Sequence, residues 1–239
     1  MNGQKVYAHQ GAAGYFVGNT LAAFSRAIEL GCDGAELDVQ LSKDGVVIVH
    51  HNPRLNYKYC RKGNGEYITE AEGILLENLM LDEIKEYTIG EPNPLTFNYE
   101  VWPNLAFKSG EYIPTLVEVI KLIKEKSSKF KLIIEIKSDI FREEKDTWKP
   151  LVHKVLEILE ELDFETRSII CSINWNILIY TKNKNKKISV WFTTFPFSWF
   201  IEKDVYKKDI QPSLGYRARL IKSWKEKKWI GLPVFNRKH

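Results

Sequence analysis

Two imidazoles and three carboxylates are spaced along the first 135 positions in a way that could hold a metal ion and do acid–base chemistry beside it: His9, Glu36, Asp38, His51 and Glu135. Glu36 and Asp38 stand two apart, so on a strand both carboxylates project from one face while Ala35, Leu37 and Val39 take the other. Carboxylates aimed into a protein interior are costly unless a positive charge neutralises them, and a metal ion is the usual partner. Histidine close to such a pair suits acid–base work. The bland alternative for this stretch is a solvated strand face with incidental histidines, and other segments have to decide between the two.

The elements that must position these groups read as alternating strands and helices. Lys5-Val6-Tyr7-Ala8 is a short first strand that delivers His9, Gln10 and Gly11. Asn19 or Thr20 caps a helix whose stripe is Leu21, Phe24, Ala27, Ile28 and Leu30, closed by Gly31. The strand with Glu36 and Asp38 follows. After the turn Lys43-Asp44-Gly45 comes Val46-Val47-Ile48-Val49, an unbroken apolar run of the kind a buried parallel strand shows, ending in His50 and His51. Adjacent residues on a strand face opposite ways, so only one of these histidines can serve a site; His51 is taken for the site and His50 as a packed outer-face residue.

A long excursion from about 52 to 112 reads as an insertion or lid with one short helical run, Leu81 to Lys85. Pro114 is then expected as the N1 residue of a helix over 117–126. A buried strand over 132–137 carries Glu135 and Lys137 on the face of Ile133. Helix 147–162, strand 167–172, helix 174–183 and strand 188–193 continue the alternation. Repeated βα units predict an α/β fold of the TIM type, a parallel (β/α) barrel whose active groups come from the carboxyl ends of different strands. His9, Glu36, Asp38, His51 and Glu135 all fall at such ends. The whole chain, 1–239, is read as one barrel domain with the 52–112 insertion after its third strand.

Composition limits the alternatives. With 239 residues, 44% of them hydrophobic, the chain has ample material for a core. A net charge of +4, concentrated late in the chain in Lys182, Lys184, Lys186, Lys187 and from Lys222 to Lys238, is too mild and scattered for a nucleic-acid footprint, so no nucleic-acid partner is expected. Cys32, Cys60 and Cys171 are odd in number and lack zinc spacing, which predicts reduced thiols. The first residues lack a secretory apolar stretch and no run approaches bilayer length, so the expected location is cytoplasmic with no transmembrane segment.

Taken together, His9-x-Gly11, Asn19-Thr20, Glu36-Leu37-Asp38-Val39, Lys43-Asp44-Gly45 with His51, Pro114-Thr115-Leu116 and Glu135-Ile136-Lys137 resemble the glycerophosphodiester phosphodiesterase family. The resemblance runs from Val6 to about Asn176 and more weakly beyond, and its specificity lies in several motifs occurring in order. It implies a phosphoric diester hydrolase on a TIM barrel, acting on glycerophosphodiesters to give glycerol 3-phosphate and an alcohol. By position it implies that His9 and His51 are the catalytic histidines, that Glu36, Asp38 and Glu135 hold one divalent cation, and that Gln10 and Lys137 touch substrate. An all-oxygen set suits Mg²⁺ or Ca²⁺ and disfavours zinc. Two other readings stay open: a phospholipase D-like lyase acting on lysophospholipids, and a non-catalytic descendant that binds a phosphate ester.

The chain also departs from that pattern. Gln10 stands where the family usually has arginine, exchanging a bidentate guanidinium for a neutral amide and weakening phosphate binding. Gly18 replaces the usual glutamate, and Asn52 the aspartate that usually follows the histidine. At the other end, about 195–239 is divergent, and the closing Gly-Val-Asp-Gly-type strand is not found before His239. This predicts an imperfectly closed barrel lacking its last βα unit, an edge covered by another segment or a second copy, or a truncated sequence. Trp191, Phe192, Phe195, Phe197, Trp199 and Phe200 read as rim packing, with an apolar wall for the alcohol group, a weak membrane-surface contact or a cation–π site for choline as the functional alternatives.

Overall fold

The computed structural model describes residues 4–96, 105–137 and 147–193. The described strands form one sheet: β1 (Tyr7–Ala8), β2 (Gly34–Leu41), β4 (Lys131–Ile136), β5 (Ser168–Ser172) and β6 (Ser189–Phe192) lie side by side in that order and run parallel, while β3 (Val47–Val49) pairs with β2 off this path. Helices α1 (Leu21–Glu29), α3 (Leu116–Lys126), α4 (Lys149–Glu161) and α5 (Trp175–Lys184) make the crossovers, and α2 (Leu81–Lys85) lies in the excursion between β3 and α3. This is the α/β alternation expected from the sequence.

Each helix begins where a side chain can take its first free N–H groups. Thr20 caps α1 by accepting from Ala23 N at 3.2 Å, and Gly31, at φ +75°, lets the chain turn off its end. At α3 the cap is Thr115, paired with Glu118 in a capping box, and Pro114 lies just before it. Pro114 is therefore not at N1, as the sequence suggested, because the Thr115 hydroxyl satisfies more of the helix end than a proline ring can.

The outer face of the sheet and the inward stripes of the helices share one core. Ala35, Leu37, Val39, Leu132, Ile134 and Ile136 pack with Phe24, Val119, Ile120, Ile123, Val152 and Val155. Fully burying one such aliphatic side chain contributes about 1.5–3 kcal/mol. A slip of one residue in β2 would turn Ala35, Leu37 and Val39 inward and Glu36 and Asp38 into the core, so the register is strongly set.

The inner face curls. Tyr7 of β1 and Trp191 of β6, on the two end strands of the order, meet edge to face with ring centroids 5.7 Å apart, over Ile133, Ile169 and Cys171. Gly34 makes room for this, since a Cβ there would lie 2.8 Å from the Tyr7 ring and 2.4 Å from the Lys131 carbonyl oxygen.

The run ending in His50 and His51 is not a parallel barrel strand. β3 is antiparallel to β2, with Val49 opposite Val39 and Val47 opposite Leu41. Only Ser42 to Val46 separate the two strands, closed by Ser42 N–H to Val46 O at 3.0 Å and by Gly45 at φ +78°; a parallel return needs roughly a dozen residues. The apolar run misleads because β3 is buried on both sides for another reason. Val47 and Val49 join the main core, whereas Ile48 joins a second one with Leu55, Cys60, Ile68, Leu76, Ile84, Ile89 and Ile113, nearly all from the excursion. The hairpin takes over the edge of β2 that β1 leaves after Ala35 and brings the chain back to the level of Asp38.

The three cysteines are free thiols. No helix among the described residues is long and apolar enough to cross a membrane. Of the expected aromatic cluster, Trp191 packs on Tyr7, and Phe192 meets Trp175 edge to face at 5.1 Å. Phe195, Phe197, Trp199 and Phe200, the late lysines from Lys222, the divergent stretch 195–239 and the question of barrel closure fall outside the described residues.

Candidate active site

Parallel register brings the acidic side chains together. Asp38 on β2 is the direct neighbour of Glu135 on β4, and Glu36 lies two residues below on the same inner face. Carboxylate oxygens from Glu36, Asp38 and Glu135 all lie within 4.8 Å of one another. Beside Glu135 the layer continues with its register partner Cys171 on β5, whose burial pushes its thiol well above its usual range.

Charge in this cluster is unevenly compensated. Lys137, also on the inner face, places Nζ 2.9 Å from Asp38 Oδ1 and 3.1 Å from Glu135 Oε2. Burial works against its charge, but Asp38 and Glu135 outweigh it and hold the ammonium above its ordinary pKa. Asp38 is likewise buried, yet Lys137 and the Asn19 amide keep its pKa below the usual carboxylate range. Glu36 has no such partner. Burial and the neighbouring Asp38 raise it to about 8, with the Gln10 N–H, 3.0 Å from Oε2, and the charge of Lys137 pulling the other way. A glutamate that keeps its proton near neutrality marks more negative charge than one lysine offsets. Oxygen donors on three sides, one of them awaiting a counter-charge, fit a hard divalent cation.

The loop after β1 and the β3 hairpin supply the rim. His9 is largely exposed, with Nε2 3.8 Å from Glu36 Oε2. His51, also exposed, has Nδ1 2.7 Å from Asn52 Oδ1, and its carbonyl accepts from Gln40 Nε2 at 3.1 Å. His9, Gln10, Asn19, His50 and His51 line one cleft of about 240 Å³, whose far wall is Asn56, Tyr59, Cys60, Ile89 and Leu105 from the excursion. The structure thus brings the five expected groups and Gln10 and Lys137 to one end of the sheet.

Three features were not legible in advance. Asn19, read only as an alternative helix cap, instead donates Nδ2 to Asp38 Oδ2 at 2.9 Å. The signal was the neighbouring Thr20: only one of the two can cap. His50 is buried, as expected of a packed residue, but it borders the cleft and gives its backbone N–H to Asp38 O at 3.0 Å. Burial lowers its pKa, so the ring is held neutral beside the rim. Asn56 and Tyr59 reach the cleft through the folding of the excursion, for which local spacing carries no signal.

A parallel α/β sheet that gathers carboxylates and imidazoles at the carboxyl ends of its strands is the arrangement by which α/β proteins of the barrel class build their active sites. Within that class the chain belongs to the glycerophosphoryl diester phosphodiesterase family, which residues 9–223 match. It is 38% identical over 169 residues to a glycerophosphodiester phosphodiesterase of Caldanaerobacter subterraneus subsp. tengcongensis, covering 71% of this chain and 58% of that protein. To one of Bacillus altitudinis it is 29% identical, covering 90% and 76%. The fold matches the crystal structure of a putative glycerophosphoryl diester phosphodiesterase from Silicibacter pomeroyi with a TM-score of 0.75 at 25% identity, covering 85% of this chain and 69% of that one. The chain thus spans less than two thirds of the length of the first of these relatives.

Proposed function

We propose that this chain hydrolyses glycerophosphodiesters to glycerol 3-phosphate and an alcohol, with one Mg²⁺ or Ca²⁺ held by Glu36, Asp38 and Glu135 and with His9 and His51 as the proton-transfer pair. The observation that carries this reading is the meeting of three carboxylates within 4.8 Å beside a cleft lined by both imidazoles. When bound, the cation would supply electrophilic assistance to a non-bridging phosphoryl oxygen.

The protein's own groups divide the remaining work. The Asn52 side-chain oxygen can only accept, so the proton of a neutral His51 resides on Nδ1 and Nε2 is left with a free lone pair. His51 is accordingly the base that takes the proton of the attacking hydroxyl as its oxygen bonds to phosphorus: either water, which gives glycerol 3-phosphate directly, or the glycerol 2-hydroxyl, which gives a cyclic phosphate that a water molecule then opens to glycerol 3-phosphate. His9 then delivers a proton to the alcohol oxygen as the other P–O bond breaks. Lys137 places a fixed positive charge at the edge of the phosphate position, and Gln10 lies beside His9 on the same rim. The Asn56 and Tyr59 wall faces the alcohol portion.

The test is release of glycerol 3-phosphate from glycerophosphocholine, glycerophosphoethanolamine and glycerophosphoglycerol, with Mg²⁺, with Ca²⁺ and with chelator, beside His51→Ala. Cation-dependent release that His51→Ala abolishes is expected. No cation-dependent release from any of the three would overturn the proposal, and a cyclic phosphate formed from a lysophospholipid would replace it with the lyase reading.

A further inference from the structure

Two carboxamides grip the same oxygen of Asp38. Gln10 Nε2 and Asn19 Nδ2 each donate to Oδ2 at 2.9 Å, and the Asp38 backbone N–H points back at Asn19 Oδ1, 3.4 Å away. Both gripping residues have left-handed backbone, at φ +50° and +61°, and they are tied to each other by Asn19 N–H to Gln10 O at 2.9 Å. Asparagine tolerates that region, whereas glutamine has no special affinity for it. Strain of this kind persists where surrounding structure enforces it, and here it aims a side chain at one carboxylate.

Gly18 completes the arrangement. Its own φ is outside the left-handed region, so the backbone does not demand glycine. Space does: a Cβ there would lie 2.6 Å from Gln10 Oε1 and 3.0 Å from Gln10 Cβ. With Oδ2 held from one side, Oδ1 is left to Lys137 Nζ, 2.9 Å away.

We infer that Gln10 and Asn19 form an amide clamp that fixes the orientation of the Asp38 carboxylate, that Gly18 stays small to admit the Gln10 arm, and that Gln10 serves as a positioning residue for divalent-cation affinity. This rests on the cation site proposed above. A ligand carboxylate already oriented loses less freedom when it binds, and removal of such an orienting partner typically weakens metal affinity by 10–100-fold.

Calorimetric titration with Ca²⁺ and with Mg²⁺ tests it, on the wild type, Gln10→Gly, Gly18→Ala and the double variant. Glycine at position 10 suits φ +50°, so Gln10→Gly is expected to unfold at no lower temperature than the wild type while binding the cation about tenfold more weakly. Gly18→Ala is expected to weaken binding similarly by displacing the Gln10 arm. In the Gln10→Gly background the added methyl should then cost almost nothing further. A wild type that binds the cation and a folded Gln10→Gly that binds it equally well overturn the clamp, and losses that add in the double variant overturn the role given to Gly18. A wild type that binds neither ion removes the cation site itself.

Discussion

Lys137 and Asp38 form a direct ion pair at 2.9 Å, and Asp38 is almost completely buried while the Lys137 side chain is 21% exposed. The lysine that flanks the expected phosphate position is thus also the resident counter-charge of the acidic cluster. It shares that cluster with any cation that binds.

Replacing Lys137 by methionine should separate these roles. Without the ammonium, Asp38 and Glu135 lose their partner, and the cation-free protein is expected to lose about 2–3 kcal/mol, the low end for an unpaired buried charge because the pair is partly solvated. Thermal unfolding with and without Ca²⁺ checks this: the cation should raise the melting temperature of Lys137→Met more than that of the wild type. An equal rise in both would show that the lysine and the cation do not compete.

Saturating cation should itself stabilise the wild type. At a free concentration about a hundred times the dissociation constant, linkage gives about 2.7 kcal/mol. Asp38→Asn and Glu135→Gln should each abolish most of that gain, as measured by chemical denaturation in Ca²⁺ and in chelator. A gain that survives in both variants would place the ion elsewhere.

Asn52 should matter through His51. Asn52→Leu removes the acceptor that holds the His51 Nδ1 proton, and turnover is expected to fall by roughly tenfold, well short of the 10²–10⁴-fold loss expected for His51→Ala. Asn52→Asp keeps an acceptor and should retain most activity. The pH–rate profile of Asn52→Asp would decide whether the change is felt at the imidazole: a carboxylate in place of the amide should move the acidic limb to higher pH, and an unmoved acidic limb would argue against His51 as the base.

Glu118 joins the excursion to the body of the fold, bonding Lys85 at 2.7 Å while it closes the Thr115 capping box. Burial opposes its charge, but Lys85 and the Thr115 N–H prevail and hold its pKa below the usual glutamate value. A carboxylate with a lowered folded pKa contributes stability that is present above its unfolded pKa and lost as the pH falls through the folded one. Glu118→Ala should therefore cost about 1 kcal/mol near neutrality, given a cap and a half-exposed ion pair, and the difference from wild type should shrink below about pH 4. Parallel denaturation curves at pH 7 and pH 3.5 measure it, and an unchanged difference between the two would refute the assignment.

Much of the site could be read from the chain because strand periodicity is local. The spacing of Glu36 and Asp38 fixes their common face, and Glu135 and Lys137 obey the same rule on β4. Thr115 and Glu118 spell a capping box outright, although Pro114 drew attention to the wrong position. The pairing sense of β3 was harder, because continuous apolar residues report burial on both faces and not what does the burying; the five residues from Ser42 to Val46 were the better guide.

By itself the sequence determined which residue types alternate, where helices start, and hence that two carboxylates and later a third must face away from the apolar core. Only the tertiary structure decided that Asp38 and Glu135 are register partners, that the β3 hairpin returns His51 to the same rim as His9, and that Asn19 and Gln10 reach across to Asp38. The physical reason is range. Periodicity and capping act over a few residues of chain, whereas these contacts join residues up to about a hundred apart, and they form only once the shared core of β2, β4, α1 and α3 has set the strands side by side.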